Sequence, residues 1–124
     1  MSVVEDERGK IIDILENEII EHVNLISFKK GATRGNHYHK KSAHYDFVLN
    51  GTLKLLTKVP GERTKIRDVA AGDLVFIPPM ERHTLIALED SEILVLTRGP
   101  RGGKNYEKDT YRLSHDESLI QEYP

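Results

Sequence analysis

Apolar residues recur along this chain in short bursts, separated by polar and turn-forming residues. Residues 8 to 15, Arg-Gly-Lys-Ile-Ile-Asp-Ile-Leu, read as a turn and then a first strand. Ile11, Ile12, Ile14 and Leu15 are branched and apolar, and the run is too short for a stable helix. Residues 22 to 30 alternate in part, with Val23, Leu25 and Ser27 on one face and Ile26 and Phe28 on the other. Gly31 ends that strand, and Gly35 marks a bend before the next. Residues 43 to 49 form a strand, Asn50-Gly51 is a strong hairpin signal, and Thr52 to Lys58 is predicted to return beside it. Pro60-Gly61-Glu62 is the next turn. Residues 65 to 69 form a short polar strand suited to a sheet edge. Ala71-Gly72-Asp73 turns into Leu74 to Ile77, which Pro78-Pro79 stops because proline lacks the ladder donor. Residues 84 to 88 and 92 to 97 flank the turn Glu89-Asp90-Ser91.

About eight to ten short strands at this spacing predict an all-β sandwich or barrel. The character changes after Gly99-Pro100-Arg101-Gly102-Gly103, where the chain becomes polar. Residues 114 to 122 are predicted as a short terminal helix, capped by Ser114 with Glu117 three residues later. At 124 residues the expectation is one domain, with a barrel core over about residues 10 to 98 and an extension over 99 to 124.

Composition narrows the function classes. There is no cysteine, so disulfides, thiolate zinc sites and cysteine nucleophiles are excluded. Eighteen basic residues against 20 acidic ones give a formal charge of −2, which is no electrostatic footprint for nucleic acid. Lys29-Lys30 and Lys40-Lys41 read as solvated strand ends. No apolar run approaches the roughly 20 residues that span a bilayer. The N-terminus does not have a basic start followed by an apolar run. A cytoplasmic protein is the default expectation.

The chemistry concentrates in residues 31 to 51, where His37, His39 and His44 fall within eight residues. His37 and His39 are two apart, so on a strand they point to one face and can occupy two positions of a coordination shell. His83, behind Pro78-Pro79, is positioned to close such a site. If His44 faces a barrel interior, Asp46 and Val48 do too, and Tyr45, Phe47 and Leu49 face out. Asp46 then becomes a pocket carboxylate, a candidate catalytic residue able to orient a histidine or act as a base. By the same parity His83 shares a face with Leu85 and Ala87. Arg34 reads as a surface loop residue with a lesser claim on an anionic group, and Tyr38 as a packing residue. His22 and His115 lie outside the pattern.

Gly31, His37, His39, His44 and Gly51 form one spaced unit, and Gly72, Pro78 and His83 form a second. Together they resemble the two motifs of the cupin superfamily, over roughly residues 10 to 98. The resemblance implies a double-stranded β-helix, or jelly-roll, barrel holding a divalent transition metal (Fe, Mn, Ni or Zn) on His37, His39, His44 and His83. His44 stands where cupins usually carry a glutamate ligand, and Met80 where the second motif usually has a glycine. All-imidazole sites suit several of these metals. The resemblance also implies dimerisation through an apolar outer face, such as the row Tyr45, Phe47 and Leu49.

Three segments carry a closer resemblance: 6 to 10, 34 to 41, and 106 to 112. They are similar to small cupins of sugar-nucleotide metabolism, including dTDP-4-dehydro-6-deoxyglucose ketoisomerases. That likeness implies metal-free acid/base chemistry by His37 and His39, with Asp46 or Tyr111 as helpers. Three functions follow: a metal-dependent cupin, oxygenase or isomerase, acting on or binding a small carbohydrate-like ligand; a metal-free sugar-nucleotide ketoisomerase or epimerase; and a non-catalytic small-ligand sensor.

Overall fold

The computed structural model describes residues 1–100 and 103–123. The strands are β1 (Ser2–Asp6), β2 (Gly9–Asp13), β3 (His22–Phe28), β4 (Thr33–Tyr38), β5 (Ala43–Asn50), β6 (Thr52–Lys58), β7 (Lys65–Ala70), β8 (Leu74–Ile77), β9 (Arg82–Ala87) and β10 (Ser91–Arg98). The helix α1 (Gly103–Lys108), the short strand β11 (Tyr111–Arg112) and two 3₁₀ turns, His115–Glu117 and Leu119–Glu122, follow.

The strands form a jelly roll of two antiparallel sheets, ordered β3-β10-β5-β8 and β11-β4-β9-β6-β7. From β3 to β6 each consecutive strand changes sheet, so the chain laces the two layers together. Asn50-Gly51 is therefore not a hairpin: β5 pairs with β10 and β8, while β6 pairs with β7 and β9. The turn carries the chain from one sheet to the other. A Cβ on Gly51 would overlap the Ser91 hydroxyl, and the residue sits at φ 88°. Here glycine serves close packing at a barrel corner as well as a turn conformation.

The core lies between the sheets. Val48, Leu53, Leu55, Ile77, Ile93 and Val95 are each buried from alternating positions of their strands. On β5, His44, Asp46 and Val48 are buried while Tyr45 and Phe47 are half-buried and Leu49 is exposed, which is the predicted parity. Tyr45 packs against Phe76, with the ring centroids 4.7 Å apart. β7 is an edge strand, as its polar sequence predicts.

Two segments depart from expectation. The N-terminal region is a hairpin of β1 on β2, in which all ten residues are exposed. The C-terminal segment forms 3₁₀ turns where a capped helix was predicted. The Ser114 side chain makes no capping bond to the backbone, and its hydroxyl donates to the Glu117 carboxylate instead. Leu119 from this segment is 2% exposed, so the tail docks on the barrel despite its polar composition. β11 adds to β4, with Tyr111 stacked on Tyr38 and flanked by Lys40 and Arg82 on the outer faces of the two rings.

Candidate functional site

A cavity of about 390 Å³ opens between the sheets. Its apolar wall is Phe28, Leu85, Ile93 and Val95, and its polar wall is His37, His39, His44, His83, Asp46, Tyr106, Arg34 and Arg112. All four histidines singled out by the sequence reach one pocket.

The bulge in β4 aims His37. Pairing with β9 runs Arg34↔Leu85 and Gly35↔Thr84, then skips to His37↔His83, so Asn36 is the extra residue. Strict alternation from Arg34 would turn Asn36 inward and His37 outward. The inserted residue shifts the parity, so Arg34 and His37 both line the cavity. Asn36 takes φ 61°, a left-handed conformation that asparagine tolerates better than most residues. Its side chain is held by the tail: Oδ1 accepts from the Leu119 N–H at 3.1 Å, and Nδ2 donates to Ser118 at 3.1 Å.

Nδ1 of His39, of His83 and of His44 each faces a bonding partner. His39 Nδ1 lies 3.0 Å from the Asp109 carbonyl, His83 Nδ1 3.1 Å from the Glu81 carbonyl, and His44 Nδ1 2.6 Å from Asp46 Oδ1. A carbonyl can only accept, so His39 and His83 carry their proton on Nδ1, and Nε2 keeps the lone pair in the neutral ring. The rings crowd one another: the centroid of His37 is 4.8 Å from that of His39 and 4.7 Å from that of His83, and His44 is 5.1 Å from His83. Burial holds His83 well below the ordinary histidine value of 6.5, and the neighbouring His44 and His37 rings push the same way. The ring is therefore neutral near pH 7, and a neutral imidazole can serve as a base or a ligand.

His37, His39 and His83 each offer a ligand atom, all within 4.8 Å of one another. His44 stands outside that set. Asp46, buried beside it, bonds His44 and is oriented by strand alternation two residues on.

The periodicity of the chain does not mark Tyr106 or Arg112. Tyr106 comes from α1, with its ring centroid 5.4 Å from that of His39. Arg112 lines the same cavity and is paired with Glu107. Arg34, read as a surface residue, also lines the cavity and bonds the Ser27 carbonyl at 3.0 Å. Tyr111 is absent from the lining and packs on Tyr38 outside, so the pocket tyrosine is Tyr106. His22 and His115 are exposed and away from the cavity.

The family model described as Cupin domain matches residues 24–97. No curated protein sequence is similar enough to match. Among solved structures, a variant of the 3,4-ketoisomerase QdtA from Thermoanaerobacterium thermosaccharolyticum, in complex with TDP-4-keto-6-deoxyglucose, is 26% identical, with a TM-score of 0.74. That match covers 97% of this chain and 88% of the other. A 3,4-ketoisomerase from Helicobacter canadensis is 22% identical, covers 97% and 91%, and has a TM-score of 0.77. A dTDP-4-dehydrorhamnose 3,5-epimerase from Sulfolobus tokodaii is 20% identical, covers 93% and 74%, and has a TM-score of 0.71.

Proposed function

This chain belongs to the cupin family, and from that premise we propose that it is a sugar-nucleotide isomerase, moving the keto group of a nucleotide-linked 4-keto-6-deoxy sugar by proton transfer. One observation carries the reading. Four imidazoles, Asp46 and Tyr106 line a sugar-sized cavity that also presents Arg34 and Arg112.

The chemistry asks for this set. Shifting a carbonyl from C4 to C3 removes the proton on C3, forms an enediol, and returns a proton to C4. A neutral imidazole with its lone pair on Nε2 is the base such a step needs. His37 and His39 are the acid/base pair in this reading, and Tyr106 lies close enough to both rings to assist proton movement at an enediol oxygen. Asp46 acts through His44, fixing its tautomer. In this reading Arg34 and Arg112, which line the cavity, receive the diphosphate, since a guanidinium matches that geometry.

The test is incubation with dTDP-4-keto-6-deoxyglucose in D₂O, followed by proton NMR. The expected result is a 3-keto product carrying deuterium at C4. Folded protein that neither turns over nor exchanges protons with dTDP-, UDP- or GDP-linked 4-keto sugars would overturn the reading.

A second reading rests on the histidine geometry itself. His37, His39 and His83 fit a divalent transition ion such as Fe, Mn, Ni or Zn, with His44 as the adjacent fourth imidazole. The bonds from His39 and His83 to main-chain carbonyls are those that ligand histidines ordinarily make. A bound ion would supply Lewis-acid polarisation of a substrate oxygen. Elemental analysis after reconstitution with each metal, and turnover after chelation, separate the two readings. Full activity in metal-free protein sinks the second.

The partner reading is a homodimer. A two-stranded hairpin is marginal in water by itself, and β1 on β2 buries none of its residues. β3 is an open sheet edge on which Val23 is 58% and Leu25 61% exposed. An edge of this kind is a template for pairing. Sedimentation equilibrium is expected to give a dimer that Leu25→Lys weakens. A wild-type monomer at micromolar concentration contradicts it.

A further inference from the structure

The loop between His39 and His44 is Lys40-Lys41-Ser42-Ala43, and it sets how far apart the two rings stand. Three of its four backbone N–H groups point at one carboxylate. Asp109 Oδ1 accepts from Lys40 at 3.1 Å and from Lys41 at 3.1 Å, and Oδ2 accepts from Ser42 N at 2.9 Å and from the Ser42 hydroxyl at 3.0 Å. Successive amides converging in this way make an anion site, and here the chain's own tail fills it. Asp109 is 3% exposed, so water does not compete for those donors. The main-chain carbonyl of the same residue accepts from His39 Nδ1.

Asp109 also joins the two tail elements that line the cavity. Its N–H donates to the Tyr106 carbonyl at 3.1 Å, closing α1, and β11 with Arg112 begins two residues later. Neither the amide cluster nor the His39 bond takes part in the proton-transfer steps derived above.

We propose that Asp109 is a further positioning residue of this site: its carboxylate clamps the loop joining His39 to His44, and its carbonyl, held by that clamp, keeps His39 in the Nδ1–H tautomer. The C-terminal segment is thus part of the active-site apparatus. The kinetic part of this inference rests on the isomerase reading, whereas the tautomer part does not.

The experiment uses the full chain, wild type and Asp109→Ala, with Asp109→Asn in its place if the alanine variant does not fold. Long-range ¹H–¹⁵N imidazole spectra, with the His39 peaks assigned through His39→Gln, are expected to show one Nδ1–H tautomer in the wild type. The variant is expected to show a mixture of tautomers. Turnover of the 4-keto sugar is expected to fall roughly 10- to 100-fold in kcat, the range for lost support of a working histidine, with KM little changed. A residue that only stabilises the fold would lower the melting temperature and leave tautomer and kcat alone, and that result overturns the proposal. Wild-type protein without turnover defeats the isomerase reading, and the tautomer spectra then still decide the role of Asp109.

Discussion

His44 and Asp46 are two residues apart on β5, and their side chains meet inside the barrel at 2.6 Å between Nδ1 and Oδ1. Both are buried, at 5% exposure each. Strand alternation explains the meeting, because residues i and i+2 share a face. Removing one partner leaves a buried polar group without its bond, which costs about 1–3 kcal/mol. Asp46→Ala is expected to lose stability on that scale and to cut turnover roughly 10- to 100-fold. Asp46→Asn keeps an acceptor oxygen and should fall between the two. Urea melts and steady-state kinetics on the three proteins check the order. An alanine variant with wild-type kcat would show that the pair is structural alone.

Met80 occupies a glycine's conformation. Its φ is 74°, and the left-handed region costs an L-residue roughly 1–2 kcal/mol. The turn is kept because Met80 N–H donates to the His39 carbonyl at 2.6 Å and its own carbonyl accepts from Arg82 at 2.6 Å. The glycine expected from the motif comparison is therefore missing from a position that still demands its geometry. Met80→Gly removes the strain but adds about 0.5–1 kcal/mol of chain entropy to the unfolded state. The net expectation is a gain of up to about 1.5 kcal/mol, seen as a melting temperature raised by a few degrees.

The inner faces were legible in the sequence because each depends on alternation within one strand. His44, Asp46 and Val48 on β5, and His83, Leu85 and Ala87 on β9, all fall inward as alternation requires. What joins to what was less legible. Asn50-Gly51 has the composition of a hairpin turn, and local composition cannot tell a hairpin from a corner between sheets. Arg34 was missed for a related reason, since the bulge at Asn36 is a property of the β4–β9 pairing. Tyr106 and Arg112 enter the cavity through tail contacts that have no period. Their only signal lay in the motif-like segment 106 to 112, which also contains the misleading Tyr111.

Gly35 separates two effects of glycine. It sits at φ 92°, and a Cβ there would lie 2.9 Å from the His83 carbonyl oxygen. Gly61 has a similar φ of 85° with nothing within 4 Å. Gly61→Ala thus reports conformational strain alone, about 1–2 kcal/mol. Gly35→Ala adds the clash, which must push β9 away at the residue that carries the His83 ring. The expected result is a loss exceeding that of Gly61→Ala by about 1–3 kcal/mol, with activity lost only in Gly35→Ala. Equal losses and equal activity would show that β9 yields without moving His83.

His83 makes stability depend on pH in a stated direction. Burial, reinforced by His44 and His37, lowers its folded pKa well below 6.5. The unfolded chain titrates near the ordinary value of about 6.5. Below that pH the unfolded state binds a proton that the folded state refuses, so unfolding is favoured as acid is added. The contribution is fully present above about pH 6.5, and it declines until the pH passes the folded pKa. In chelator-treated protein, the melting temperature is expected to fall between pH 7 and pH 5 at low salt. His83→Gln retains a neutral polar side chain and removes this titration, so its decline over the same interval should be shallower. Acid acts on the rest of the chain in both proteins, which is why a shallower slope and not a flat one is the prediction. A variant whose slope matches the wild type would place the acid sensitivity on other groups and contradict a buried, neutral His83.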